Sequence, residues 1–198
     1  HPEKKLRPLA SGKINKLTAS ILIIILLSTS LVLAFNLSIA FFYSISSLFI
    51  LSQLYSFKLK KIIFADVLAI SLLFVIRALS GAYVINVEVS HWLILCPFFL
   101  ALFLAIGKRH ADLLLLKQSA PETREVLKLY NLELTNSLMI ISTTLLVISY
   151  ALYSFSSEHN NLIFTLPFAL FVIFKYFLIV SSGSNIARNP EKILKDKE

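Results

Sequence analysis

The fold is decided by long apolar stretches such as Leu17–Phe35, which reads LTASILIIILLSTSLVLAF and contains no charged residue. A hydrocarbon core of about 30 Å takes roughly 20 helical residues to cross, so this stretch is long enough to span a membrane. Strands of a membrane β-barrel would alternate apolar and polar residues, and the run ILIIILL at 21–27 does not alternate. The stretch is therefore predicted to be a transmembrane helix.

Five further apolar stretches are also long enough to span a membrane. The composition agrees with them, because 57% of the 198 residues are hydrophobic and 15% are charged, against roughly 45–50% and about 25% in soluble domains. A single cysteine excludes an internal disulfide framework. The sequence thus predicts an all-α integral membrane helix bundle, one domain over residues 1–198, with six spans at 17–35, 37–57, 62–87, 89–107, 135–155 and 162–180.

The basic residues predict how the bundle is oriented. All of the 19 Lys and Arg residues except Arg77 and Lys175 fall in the opening segment, the second and fourth connections, and the tail. Because Lys and Arg are enriched on the cytoplasmic side, we expect these segments and both ends to be cytoplasmic, in the inner (plasma) membrane of the cell. Much of the net charge of +8 then faces anionic lipid, so no nucleic-acid partner is needed to explain it.

The connection between the fourth and fifth spans is the longest polar segment between spans. Ser119-Ala-Pro-Glu122 has the form of a capping box, with Ser at the N-cap and Glu three residues later. Val126, Leu127, Tyr130 and Leu134 follow it at helical spacing. A cytoplasmic helix is therefore predicted to begin there and to run into the fifth span.

Three basic clusters lie on the predicted cytoplasmic side. They are the opening segment with Ser11-Gly12, the segment Lys58-Leu-Lys-Lys61, and the segment Gly107-Lys-Arg-His-Ala-Asp112. Lys and Arg bind phosphate groups, and backbone N–H groups beside a glycine can approach an anion. The clusters, with Asp66 and Asp112 as possible metal or sugar-hydroxyl ligands, fit a polyphosphate substrate beside a lipid. Charges that only set the topology are the alternative.

Besides Asp66, two charged residues lie inside predicted spans. Arg77 is in the third span and Lys175 is in the last one, nearer its cytoplasmic end. A charge in a span usually faces the bundle interior or a wet cavity, because exposure to lipid is costly. For both residues, a side chain that extends to the membrane interface is the alternative.

Five segments in this order resemble the UbiA superfamily of membrane prenyltransferases and, within it, the decaprenyl-phosphate phosphoribosyltransferases. The resemblance covers essentially the whole chain. Its segments are residues 1–12, Tyr55–Lys60 with Asp66, Arg77–Ala82, Leu102–Arg109, and Phe174–Tyr176 with Asn189–Asp196.

The resemblance also implies what this sequence lacks. A typical member has nine helices, of which this chain would supply the third to the eighth. The Asp-rich motif that holds Mg²⁺ in the family would end just before His1. The second Asp-rich motif of aromatic prenyltransferases is replaced by Lys108-Arg-His-Ala-Asp112, which argues against an aromatic acceptor.

The implied activity is the transfer of 5-phosphoribose from phosphoribosyl diphosphate to a polyprenyl (decaprenyl) phosphate, with Mg²⁺, for the synthesis of cell-envelope glycans. The alternatives are an aromatic prenyltransferase of the same fold and an inactive, truncated membrane fragment. The chain alone is expected to be inactive, and no catalytic residue is assigned. Within this resemblance, Lys4, Lys5, Arg7, Lys60, Lys108 and Arg109 would bind phosphate, and Asp66 and Asp112 would contact a metal ion or the ribose.

Overall fold

A computed structural model describes residues 8–9, 11–116, 125–157 and 160–183. Within these ranges there are six helices long and apolar enough to cross a membrane, and there is no strand. The predicted all-α bundle of six spans is confirmed. The helices are α1 (Lys16–Leu37), α2 (Ile39–Phe57), α3 (Ala65–Val84), α4 (His91–Leu116), α5 (Leu132–Ser156) and α6 (Leu166–Ser181), with 3₁₀ turns at Leu59–Lys61, Glu125–Lys128 and Asn160–Thr165.

Helices α1 and α2 form a hairpin of two almost entirely apolar helices. A single residue in extended conformation, Ser38, separates them. Ala34 is the only buried residue of α1, and α2 has none. Many of their Ile, Leu and Phe side chains are exposed, as expected where lipid surrounds much of a helix.

The core lies among α3, α4, α5 and α6, and α4 and α6 make a close contact within it. Gly107 of α4 lies directly against the Tyr176 ring of α6, where a Cβ atom would come within 2.7 Å of the hydroxyl oxygen. The same ring packs edge-on against Phe103, with 5.0 Å between the ring centroids. Small residues allow helices in a membrane to pack this closely.

One end of the bundle is formed by the end of α2, the start of α3, the end of α4 and the start of α5. This end, called the basic end below, carries the turn with Lys60 and Lys61 as well as Lys108 and Arg109. Helix α4 continues to Leu116, nine residues beyond the predicted end of the fourth span. Its charged residues therefore lie on a helix and not in a loop.

The segment before α5 differs from the continuous helix that was predicted. Residues 117–124 lie outside the described part of the chain, so the predicted capping box at Ser119 does as well. Glu125–Lys128 forms a 3₁₀ turn, and α5 begins anew at Leu132. Asn131 is its N-cap, in extended conformation, and its side chain accepts a 2.6 Å hydrogen bond from the backbone N–H of Leu134. An asparagine at this position favours a new helix start over a continuation.

Candidate functional site

The centre of the basic end is a buried ion pair. Arg109 of α4 donates its Nε–H to Asp66 Oδ2 at 2.7 Å. Asp66 has an exposed fraction of 0% and Arg109 of 2%. A charge-assisted bond of this length is strong, and each of these charges would be very costly to bury alone. The pair therefore joins the start of α3 to the last part of α4.

The other oxygen of the same carboxylate is held by a tyrosine. Tyr130, which comes just before α5, donates its hydroxyl to Asp66 Oδ1 at 2.8 Å. The Tyr130 oxygen also accepts the backbone N–H of Phe64 at 3.0 Å. Burial raises the pKa of Tyr130, and the neighbouring Asp66 carboxylate raises it further. The phenol therefore stays protonated at neutral pH, so it can act as the donor to the carboxylate.

The turn before α3 is strained where Tyr130 contacts it. Phe64 has a φ of 63°, in a region that bulky residues rarely adopt, at a cost of about 1–3 kcal/mol. Its ring packs edge-on against that of Tyr130, with 6.1 Å between the centroids. Close by, Lys61 Nζ and Glu125 Oε2 form an exposed ion pair at 3.2 Å. Several contacts thus join residues 125–130 to this turn.

A second polar contact joins α4 to α5. His110 Nδ1 lies 2.8 Å from Thr135 Oγ1, and both side chains are buried. The Thr135 hydroxyl donates its one hydrogen to the backbone carbonyl of Asn131 or Leu132. The consistent arrangement has the His110 Nδ1–H as donor to Thr135, which leaves Nε2 as an acceptor.

The predicted phosphate-binding residues fall into three groups. Lys60 and Lys108 are exposed at the basic end, in the turn before α3 and on α4 respectively. Arg109 is buried in its pair with Asp66. The remaining three, Lys4, Lys5 and Arg7, lie outside the described residues.

The two acids predicted as metal or ribose contacts are both buried. Asp112 is three residues after Arg109, so the two side chains lie on the same face of α4. In the described ranges, no group of three or more His, Cys, Asp or Glu residues could hold a metal ion. Asp66 suits Mg²⁺ poorly, because a guanidinium lies 2.7 Å from one of its oxygens and a hydroxyl 2.8 Å from the other. Asp66, held in this way, does not fit a Mg²⁺ site.

The two basic residues predicted within spans, Arg77 and Lys175, lie away from this centre. Arg77 is exposed on α3, about 18 Å along the helix from its start, with its guanidinium carbon 5.8 Å from the centre of the Phe74 ring. Lys175 is half-buried on α6, about 9 Å from the end of that helix. Arg77 was expected either in the bundle interior or at the membrane interface, and its exposed position excludes the interior.

Sequence reasoning did not identify Tyr130, His110 or Thr135 as site residues. The Tyr130 hydroxyl and the carboxylate that it binds are 64 residues apart in the chain, so no local spacing relates them. Tyr130 was interpreted as part of a helical apolar pattern. The one local signal was Asn131, whose preference for helix N-caps would have separated Tyr130 from α5.

Three curated relatives match the chain along its whole length, and each is named a decaprenyl-phosphate phosphoribosyltransferase. The protein from Mycolicibacterium smegmatis is 32% identical, and the chain spans 65% of its length. The protein from Corynebacterium glutamicum is 30% identical with 61% of its length spanned, and that from Mycobacterium tuberculosis is 28% identical with 66% spanned. The chain thus covers slightly less than two thirds of each of these proteins.

The family model described as the UbiA prenyltransferase family matches residues 1–189. That range includes all six spans and every described residue of the basic end. It also includes the segments in which the resemblance was seen, apart from the tail segment, of which only Asn189 lies in the match. This chain belongs to the UbiA prenyltransferase family.

Proposed function

We propose that this protein transfers 5-phosphoribose from phosphoribosyl diphosphate to a polyprenyl phosphate at the cytoplasmic face of the inner membrane. The observation that carries the proposal is the match over the whole chain to three relatives named for this activity, at 28–32% identity. The product would be a lipid-linked sugar phosphate of the kind used in cell-envelope glycan synthesis.

The basic end suits a donor that carries several phosphates. Lys60 and Lys108 present ammonium groups at its surface, and Arg109 carries a buried guanidinium that is paired with Asp66. An oxygen of the lipid phosphate attacks C1 of the ribose, the bond from C1 to the diphosphate oxygen breaks, and diphosphate leaves with the electron pair. Fixed cations stabilise the charge that develops on the leaving group. No protein base is obligatory, because the phosphate is already an anionic nucleophile.

The membrane supplies the acceptor at the same place. Six spans keep the basic end at one membrane surface, where a polyprenyl phosphate holds its charged group while its chain stays in the hydrocarbon. The distribution of Lys and Arg supports assigning this surface to the cytoplasm, where phosphoribosyl diphosphate is available. A Mg²⁺ requirement is expected from the family resemblance alone, and titration with a chelator tests it.

The direct experiment uses membranes from cells that express the full-length protein. They are incubated with phosphoribosyl diphosphate labelled in the ribose, with added polyprenyl phosphate, and label is counted in the organic extract. Transfer that requires both substrates supports the proposal. Transfer of a prenyl group from a prenyl diphosphate to an aromatic acceptor, without phosphoribose transfer, would refute it in favour of an aromatic prenyltransferase.

Lys108 gives a matched test of the phosphate contacts. Loss of a charge-assisted bond costs roughly 1.5–3 kcal/mol, so Lys108→Ala should lower kcat/KM for phosphoribosyl diphosphate about 10- to 100-fold. Lys128→Ala removes an equally exposed charge from the 3₁₀ turn before α5 and should change kcat/KM little. Equal effects of the two variants would show that only the overall charge matters.

A further inference from the structure

We propose that Asp66 and Tyr130 are positioning residues, which together fix the Arg109 guanidinium and the segment 125–131 at the basic end, and that Asp66 does not bind a metal ion. The part of this proposal that concerns catalysis rests on the proposed function. The part that concerns geometry does not.

The contacts of the Asp66 carboxylate carry the first step. One oxygen accepts the Nε–H of Arg109 and the other accepts the hydroxyl of Tyr130. Mg²⁺ requires oxygen ligands at about 2.0–2.1 Å and keeps several waters. Asp66 has an exposed fraction of 0%, so a hydrated ion would have to displace a guanidinium that already neutralises the carboxylate. A fixed cation therefore occupies the place that a metal ion would take.

The second step concerns what the carboxylate does for Arg109. Nε is one of five N–H donors on a planar group, so a bond to Nε fixes the direction of that N–H and restricts where the other four donors can point. Asp66 is at the start of α3, where the helix fixes its backbone. The direction in which the guanidinium offers its remaining donors is thus set by α3 and not by the long Arg109 side chain.

The third step concerns Tyr130 and its segment. The Tyr130 hydroxyl makes two hydrogen bonds to residues 64–66: it donates to the Asp66 carboxylate and accepts from the Phe64 backbone N–H. The strained backbone of Phe64 aims that N–H at the hydroxyl. The exposed pair of Lys61 with Glu125 is worth little by itself. We therefore assign to Tyr130 the main role in holding residues 125–131 against the turn.

The kinetic test compares Asp66→Asn and Tyr130→Phe with wild type in membranes that contain the full-length protein. A misplacement of about 1 Å can cost about 100-fold in rate, so kcat/KM for phosphoribosyl diphosphate should fall about 10- to 100-fold. The KM for the lipid phosphate and the Mg²⁺ concentration for half-maximal rate should stay unchanged. If Asp66 and Tyr130 only stabilised the fold, these variants would lower only the amount of folded protein. A tenfold rise in the Mg²⁺ requirement of Asp66→Asn would overturn the proposal.

Tyr176→Phe is the matched control. It removes the hydroxyl of another buried tyrosine, whose one described bond is to the backbone carbonyl of Leu104 at 3.3 Å. Its kinetic constants for phosphoribosyl diphosphate should equal those of wild type. If Tyr176→Phe and Tyr130→Phe lower kcat/KM equally, Tyr130 has no specific role and the proposal is wrong.

A cross-linking measurement tests the geometry without any activity. Cysteines replace Lys61 and Glu125, whose charged groups lie 3.2 Å apart, and a short bifunctional thiol reagent joins them. The yield should be high with Tyr130 present, fall severalfold with Tyr130→Phe, and stay high with Tyr176→Phe. An unchanged yield with Tyr130→Phe would overturn the positioning role of Tyr130. If wild type transferred no phosphoribose but the yields behaved as expected, the proposed function alone would fail.

Discussion

Gly107→Ala should destabilise the bundle, because the new methyl group has no space. A Cβ atom at this position would lie 2.7 Å from the Tyr176 hydroxyl oxygen and 2.9 Å from a carbon of its ring. Tyr176 cannot move away easily, since it is 2% exposed and packs against Phe103. Overpacking of this kind typically costs about 1–3 kcal/mol. Alanine is also the better helix former by about 0.5–1 kcal/mol, which offsets part of that cost.

Gly81→Ala is the matched control for this prediction. Gly81 lies within α3, and a Cβ atom there would meet no heavy atom within 4 Å. The helix-propensity gain is common to both variants, so the difference between them isolates the overpacking. The free energy of unfolding should therefore be about 1–3 kcal/mol higher for Gly81→Ala than for Gly107→Ala.

The assay is thermal unfolding in detergent, followed by the loss of the monodisperse protein peak. For chains of this size 1 kcal/mol corresponds to about 2–4 °C, so the Tm of Gly107→Ala should lie about 2–12 °C below that of Gly81→Ala. Equal Tm values would mean that α6 shifts away from α4 at no cost, which would refute the close packing of Tyr176 on Gly107.

Three further predictions concern the topology of the chain, the pH dependence of its stability and the ion pair of Arg109 with Asp66. Single cysteines at Leu129 and Ser157 should label from opposite sides of the inner membrane, and labelling from the same side would contradict the six-span topology. The pKa of Tyr130 is raised in the folded state. Tyr130 therefore contributes stability below the ordinary phenol pKa of about 10, and this contribution is lost as the pH rises further. Between pH 9 and pH 11, the Tm of wild type should fall more than the Tm of Tyr130→Phe. Asp66→Leu and Arg109→Met alone should each lower the free energy of unfolding by about 3–5 kcal/mol, while the double variant, which leaves no unpaired charge, should unfold near or above the wild-type temperature. The double variant should also have lost activity. Additive losses of stability in the double variant would contradict this prediction.

The spans could be predicted from the sequence because the signal for each is local. A run of about 20 apolar residues, such as that of α1, can only be stable as a helix in lipid. The extension of α4 to Leu116 was missed, because charged residues after Gly107 were interpreted as the end of the span. Arg109 can be buried within this extension because it pairs with Asp66, 43 residues away, which no local pattern reveals.

The positions of some candidate site residues could be predicted, because they too depend on a local signal in the sequence. The basic residues Lys60, Lys108 and Arg109 were identified by their positions near span ends, and the structure places all three at one end of the bundle. Their different environments could not be predicted, because burial depends on which helices pack together. Tyr130 was missed since its role depends entirely on contacts with residues 64–66.

Two kinds of positive charge at the basic end point to a division of roles. A buried ion pair contributes little net stability, because the cost of removing both charges from water offsets their attraction. The pair of Arg109 with Asp66 is therefore better explained by the orientation that it imposes than by the energy that it adds. An exposed ammonium group such as that of Lys60 is in contact with water, so it can attract an anion from solution. An anionic donor would thus be captured by the exposed lysines and oriented by a guanidinium that the fold has already fixed.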